Sequence, residues 1–166
     1  LLKAIQNKKL NKKKVKWIHN FNDIVGKNNL FIANEFFDCL PIKQFKKKRN
    51  TWFERKIKVK NGKKFKIVEV KSNISNLNKK LGFNFSSKQS FIEYSPLEVD
   101  ILKKIAKKIN NKKGGLLIID YGFFEDNMKN TLQSLYKHKY NNFLMNIGEA
   151  DITHHVNFNL IEKLAK

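Results

Sequence analysis

The stretch Leu30 to Phe45, reading LFIANEFFDCLPIKQF, constrains this chain more than any other. Leu30, Phe31, Ile32 and Ala33 make an apolar run of the length and type of a buried strand. The run turns polar at Asn34-Glu35, places an acid at Asp38 and stops at Pro41. A second run, Leu116-Leu117-Ile118-Ile119, ends in the same manner at Asp120-Tyr121-Gly122 and reads as a central strand covered on both faces. Ligands of open α/β sheets bind beyond the carboxyl ends of the strands. If these two strands are neighbours, Asn34-Glu35 and Asp120 converge above the sheet. The alternative is that Asn34 and Asp120 only cap the helices or turns that follow, and spacing alone does not separate the two.

The surrounding segments suggest a parallel sheet with crossovers. Leu1, Leu2, Ile5 and Leu10 have helical spacing, Asn11 to Lys14 breaks it, Val15 to Ile18 reads as a short strand, and Phe21 to Val25 as a brief helix. Residues 42–90 have another character, that of a β-hairpin and loop insertion. Ile42 to Lys48 and Thr51 to Lys60 alternate, with Phe53, Arg55, Ile57 and Val59 on one face. Asn61-Gly62 is a strong hairpin signal because both turn residues need positive φ, and Lys63 to Val70 is the return strand. Lys71 to Gln89, rich in Asn, Ser and Lys, predicts an irregular, mobile loop. Ser95-Pro96-Leu97-Glu98 then supplies a cap, a proline for the first turn and the acid of a capping box. Leu97, Ile101, Leu102, Ile105 and Ile109 line one face of the helix that follows. Thr131 to His138 reads as helical, Asn141 to His155 as a structured loop, and Phe158 to Leu164 as a closing helix.

At 166 residues the chain has room for one domain with a real core. It begins at Leu1 without a recognisable leader, which suggests an internal piece of something longer. The net charge of +21 would draw nucleic acid or an anionic membrane non-specifically. Yet of 35 basic residues only Arg49 and Arg55 are arginine, the side chain that reads guanine and forks onto phosphate. The excess of lysine reads as the drift of an AT-rich genome, so no specific nucleic-acid partner is expected. No apolar run is long enough to span a bilayer. Cys39 has no cysteine partner, and His19, His138, His154 and His155 fall into no ligand spacing, so no metal is expected. GxSxG, Walker A and GxGxxG motifs are absent from the sequence. The glycine-rich loop of any nucleotide-like cofactor would have to lie upstream of Leu1.

Six segments occur in one order: NEFFDCLPIKQF (34–45), WFER (52–55), EYSP (93–96), GGLLIIDYG (114–122), TLQ (131–133) and GEADITHHVNF (148–158). Together they resemble the MidA family of S-adenosylmethionine-dependent methyltransferases, and the resemblance runs from Leu1 to about Leu164. The mitochondrial member of that family is a complex I assembly factor that methylates arginine on an iron–sulfur subunit. The resemblance implies an α/β fold, a partial Rossmann-like class I methyltransferase sheet with an antiparallel β-hairpin insertion, as one partial domain over 1–166. The cofactor loop would precede Leu1 and the last strands would follow Lys166. Val15 to Ile18 would be the third strand, Leu30 to Asn34 the fourth and Leu116 to Asp120 the fifth.

The turn after that fourth strand would face S-adenosylmethionine. Asn34, Glu35 and Asp38 would then position the acceptor nitrogen, with Asn34 and Glu35 also touching the cofactor and His155 accepting the released proton. Phe37, Arg55, Asp120, Tyr121, Asp151 and Thr153 would border the substrate. Phe36 and Phe37 also have a plain reading as core, and Arg55 as a brace of the insertion. The sequence departs from the family at Cys39, where alanine is more usual, and at Asn157, where aspartate is more usual; the second removes a charge near His155. The implied activity is protein arginine N-methylation in a bacterial cytoplasm or mitochondrial matrix, on a complex I iron–sulfur subunit, with no transfer expected from residues 1–166 alone. The competing expectations are a basic module binding RNA or an anionic surface, and a non-catalytic assembly factor with a decayed site.

Overall fold

The two apolar runs pair with one another. β1 (Asn29–Asn34) and β6 (Gly114–Ile119) lie parallel, in register from Asn29 against Gly114 to Asn34 against Ile119. The computed structural model describes residues 2–10, 14–60, 64–84 and 87–165. Entry into β6 is so close that a Cβ on Gly114 would lie 2.1 Å from the carbonyl oxygen of Asn29. With φ at +142°, this position is fitted by glycine alone.

One face of this pair is covered by α3 (Pro96–Lys112) and α4 (Phe158–Ala165). Helix α3 begins at the expected cap, with the Glu98 N–H donating to Ser95 Oγ at 3.2 Å and Pro96 in the first turn. Only this half of the expected capping box is formed, for Glu98 Oε1 accepts no hydrogen bond among the described residues. Ala33, Phe37, Leu102 and Val156 form the core beneath, flanked by Leu116, Ile118, Phe158 and Ile161. The expected cover on both faces is not found among the described residues. Strand side chains alternate, so Leu116 and Ile118 point inward while Leu30, Ile32, Leu117 and Ile119 remain exposed, Ile32 to 65%. Val15 to Ile18 is not a strand either. A strand needs a ladder partner, and none of the described strands pairs with these residues. Instead Trp17 Nε1 donates to Gln6 Oε1 at 2.8 Å on α1 (Leu2–Leu10). Phe21–Asp23 forms a single 3-10 turn capped by Asn20, and part of the break at Asn11 to Lys14 lies outside the described residues.

Residues 42–90, expected as a hairpin and loop insertion, contribute three strands to a four-stranded antiparallel sheet that the next strand completes. Its strands β2 (Lys43–Lys48), β3 (Thr51–Lys60), β4 (Lys64–Ser72) and β5 (Phe91–Tyr94) lie in the order β4-β3-β2-β5. The turn at Asn61-Gly62 lies outside the described residues, and the strands on either side pair from Trp52 against Ser72 to Lys60 against Lys64. Lys71 to Gln89 is not the continuous loop expected. Asn73 Oδ1 accepts from Ser75 N, α2 (Ser75–Leu81) follows, and Gly82 ends it in the left-handed conformation. Leu77 and Leu81, one turn apart, bury that helix against Ile92, Val99 and Leu160. Two apolar positions among polar neighbours are too few to announce it.

Thr131 to His138 forms strand rather than helix. β8 (Gln133–Tyr136) turns through Lys137 and His138, both at positive φ, into β9 (Lys139–Tyr140). Two positive-φ residues in a two-residue loop suit the twist of a hairpin, but Lys-His is not the usual signature. On its other edge β8 pairs with β10 (Asp151–Thr153). Finally β7 (Gly122–Phe123) lies parallel to β11 (Val156–Asn157). Asn157 then caps α4, its Oδ1 accepting from Leu160 N at 3.0 Å.

Candidate active site

Because β1 and β6 are in register, they end at the same level and deliver Asn34-Glu35 and Asp120 side by side. Asp120 Oδ2 accepts from three successive backbone N–H groups, Phe36 at 3.2 Å, Phe37 at 3.0 Å and Asp38 at 3.3 Å. Its Oδ1 accepts from Tyr121 N at 2.8 Å. The capping reading of Asp120 is therefore the structural fact: its carboxylate fills a backbone nest that would otherwise attract an anion. Through it β6 fastens the turn that follows β1.

That turn is strained at one residue. Glu35 has φ +44°, a left-handed conformation that costs a residue with a Cβ about 1–3 kcal/mol. Its N–H donates to Ile119 O at 2.8 Å, which holds the strained residue in place and leaves both Asn34 and Glu35 exposed. Asp38 lies deeper, at 8% exposure, and its Oδ1 has no hydrogen-bond partner among the described residues. Burial, then the Asp120 charge, push its carboxyl above the ordinary range, while the Cys39 backbone N–H and then His154 pull it back.

The third wall is the segment entering β11. His154 N donates to Asp38 O at 2.9 Å and Val156 N to Tyr121 O at 2.8 Å. His155 N donates to Thr131 Oγ1 at 2.8 Å, and its ring is half-buried. A Cβ on Gly122 would lie 2.3 Å from Val156 O, so this close approach requires the glycine of the Asp-Tyr-Gly run. Asn34, Glu35, Asp38, Asp120, Tyr121 and His155 are thus brought to one end of the sheet.

The remaining expected site residues fall elsewhere. Phe37 is fully buried against Ala33, Leu102 and Val156, so it is core and not a substrate contact. Asp151 is exposed on β10, and Thr153 Oγ1 accepts from Gln133 Nε2 at 3.1 Å. Arg55 stands on β3, with Nη1 donating to Gln44 Oε1 at 2.6 Å. Asn157, buried at 8% exposure, serves as a helix cap, a task asparagine and aspartate perform about equally.

Two buried acids near the site were given no site role in the sequence. Glu93 accepts from Gln44 Nε2 and from both the N–H and the hydroxyl of Thr131. It therefore joins the insertion to the residue that holds His155. Glu98 is only 3% exposed, and its Oε1 has no hydrogen-bond partner among the described residues. Burial and then the Asp120 charge raise its carboxyl to about 8. The signal was present: Glu98, Leu102 and Ile105 share one helical face, which places the acid on the side facing the sheet.

Residues 1–166 match the family described as "Putative S-adenosyl-L-methionine-dependent methyltransferase". The chain belongs to that family. This methyltransferase-family chain is 30% identical over 148 residues to the protein arginine methyltransferase NDUFAF7, mitochondrial, of Xenopus tropicalis, covering 89% of the chain and 34% of the relative. It is 30% identical over 154 residues to the corresponding homolog of Caenorhabditis elegans, covering 90% of the chain and 36% of the relative. The chain thus spans about a third of the length of these relatives. Among solved structures, a Burkholderia thailandensis protein bound to S-adenosyl-homocysteine superposes with TM-score 0.71 at 19% identity, over 99% of this chain and 45% of that one. A native structure from the same organism gives 0.73, also at 19% identity, over 99% and 46%. The mixed parallel and antiparallel α/β architecture is therefore the fold shared with these two solved structures.

The side chains at the sheet end suit a cation. Glu35 is exposed there, Asp38 offers an unpartnered buried oxygen, and Asn34 adds a neutral amide. A sulfonium and a guanidinium both carry the charge these groups favour. Among the described residues no cluster of His, Cys, Asp and Glu is arranged to hold a metal ion, and no helix is long and apolar enough to cross a membrane.

Proposed function

We propose that the protein of which this chain is part methylates arginine on a protein substrate, with S-adenosylmethionine as donor. The observation that carries this reading is the turn after β1: a strained Glu35 and a buried Asp38, fastened by one carboxylate at the end of the neighbouring strand. Strain held at one exposed acid beside a buried acid is what an acceptor-positioning loop requires. Family membership supports the same reading, as does the similarity to protein arginine methyltransferases.

Asn34 and Glu35 would hold the donor, which supplies an electrophilic methyl group when bound. Glu35 and Asp38 accept hydrogen bonds from the guanidinium and fix the direction in which its nitrogen points, so that alignment is set before reaction. Transfer would exchange the donor's S–CH3 bond for the new N–C bond and leave the sulfur as a neutral thioether, and the half-buried His155 imidazole would take the proton that the nitrogen loses. Arg55, Tyr121, Asp151 and Thr153 border the substrate polypeptide. A complex I iron–sulfur subunit is the proposed substrate, and the mitochondrial matrix, or the cytoplasm of a bacterial host, the proposed compartment.

Calorimetry with S-adenosylmethionine on the full-length gene product tests the reading, and absence of binding overturns it. With binding established, Asp38→Asn is expected to lower arginine methylation by about tenfold or more through loss of one charge-assisted contact.

A further inference from the structure

Beside the acceptor turn lies a cavity of about 280 Å³. Its walls are Ile57, Ile67, Leu132, Phe143 and Ile152, and Gln44, Arg55 and Lys56 supply its polar groups, Lys56 being paired with Glu54 at 3.2 Å. The volume falls just under the roughly 300–1,000 Å³ of small-molecule pockets, which suits one large side chain with its flanking backbone. Two features say what kind of group would enter.

The first is the apolar face of the hairpin. Ile57 stands opposite Ile67 and Val59 opposite Phe65, and all four are exposed, Ile57 to 58%. This ladder runs outward from the cavity mouth as an apolar track on a surface otherwise rich in lysine.

The second is Arg55. Gln44 Oε1 takes one hydrogen bond from Nη1, and Gln44 is itself fixed by Asn130 at 2.7 Å and by buried Glu93. Glu69 faces Arg55 across the hairpin, but Glu69 is bound by Lys48. The guanidinium is thus braced by a neutral amide and feels the Glu69 charge across the hairpin. Among the described residues it makes no direct ion pair, so donors of its fork remain for a carboxylate. The net charge of +21 steers acidic polypeptide toward such a site.

Resting on the arginine methyltransferase reading, we infer that this cavity is a specificity subsite for the substrate polypeptide. It takes a large apolar side chain next to a carboxylate, the apolar group among Ile57, Ile67 and Ile152 and the carboxylate on Arg55. Pro41 and Ile42 line the cavity and follow directly from the Asp38 turn. Ile42 is four residues beyond Asp38, and four residues of extended chain span at most about 14 Å, so the apolar–acidic pair is expected within roughly four residues of the methylated arginine.

The experiment uses the full-length gene product and a short fluorescein-labelled peptide with one arginine and one Phe-Glu pair in a Gly/Ser background. Fluorescence anisotropy reads binding without requiring methyl transfer. Changing the peptide Phe to Ser, or its Glu to Gln, is expected to weaken binding about tenfold each, and so are Arg55→Gln and Ile152→Asp in the protein. Ile152 is 40% exposed at the rim, so its variant folds whether or not Arg55→Gln does. No binding of any peptide, equal binding of all of them, or binding unmoved by both variants overturns the subsite. So does a dimer that Ile57→Asp dissociates in sedimentation with peptide affinity unchanged, because the apolar track then serves a second copy. Calorimetry with S-adenosylmethionine on the same preparation reports the methyltransferase reading separately.

Discussion

Replacing Glu98 by glutamine should make the protein more stable at neutral pH and flatten the pH dependence of its unfolding. Glu98 is 3% exposed and its carboxyl is raised to about 8, first by burial and then by the Asp120 charge. The unfolded chain has the ordinary value of 4.5. A folded-state value above the unfolded one favours the protonated acid. Its contribution to stability is complete below pH 4.5 and is lost as pH rises toward 8. Between those limits the native state holds one proton that the unfolded state has released, so stability falls by about 1.4 kcal/mol per pH unit. At pH 7 the accumulated cost is about 3 kcal/mol, from two and a half units below neutrality. Glutamine keeps the shape and a hydrogen-bonding oxygen without a titration. Urea unfolding of the full-length protein from pH 5.5 to 8.5 should therefore show the wild type losing stability relative to Glu98→Gln, with the two curves diverging as pH rises. Parallel curves across that range would refute the reasoning, for they would mean Glu98 is ionised in the folded protein or is not buried.

Three further outcomes follow from the site. Asp120→Ala removes the acceptor of three turn N–H groups and should cost about 3 kcal/mol in urea unfolding, since bonds to a charged group are worth about 1.5–3 kcal/mol each but here share one oxygen. Glu35→Gly relieves the left-handed backbone and should stabilise the fold by up to about 1 kcal/mol while lowering arginine methylation at least about tenfold; a variant with unchanged turnover would show that the acid is not used. Gly122→Ala puts a Cβ 2.3 Å from Val156 O and should part β7 from β11, seen as a stability loss of about 2 kcal/mol or more and as faster amide exchange at Val156, whose N–H is held by Tyr121.

The parts of the fold that were legible are those in which a local pattern and the tertiary answer agree. Ser95-Pro96 and the Leu102–Ile105 face specify α3 with no help from elsewhere, and the run Leu116 to Ile119 specifies β6. What escaped reading depended on a partner distant in sequence. Val15 to Ile18 has a strand's composition, but a strand exists only beside another. Gln133 to Tyr136 is strand because Asp151–Thr153, 16 to 20 residues further on, lies against it, while its near partner Lys139–Tyr140 joins through a Lys-His turn that carries no hairpin signature. The site divides in the same way. Asn34, Glu35 and Asp38 could be found because they end an apolar run, whereas Glu93 acquires its place only through Gln44 and Thr131, 49 and 38 residues away.

The acidic end of the sheet is organised by a charge that performs two tasks at once. Asp120 fixes the turn by accepting from Phe36, Phe37 and Asp38, and the same charge helps hold the carboxyls of Asp38 and Glu98 above their ordinary values. These tasks make opposite demands. The anchor works best as an anion, since three N–H dipoles converge on it, yet each added negative charge nearby makes ionising the next acid harder. Three carboxylates can share this corner only because Glu98 stays largely protonated at neutral pH. A cationic acceptor relieves the remaining conflict: a guanidinium between Glu35 and Asp38 would lower the cost of ionising Asp38 at the moment its second oxygen gains a partner. The corner would thus be least comfortable when empty and most nearly balanced with a cation in it, so on the proposed reading the acids would select for charge at the reacting end of the substrate.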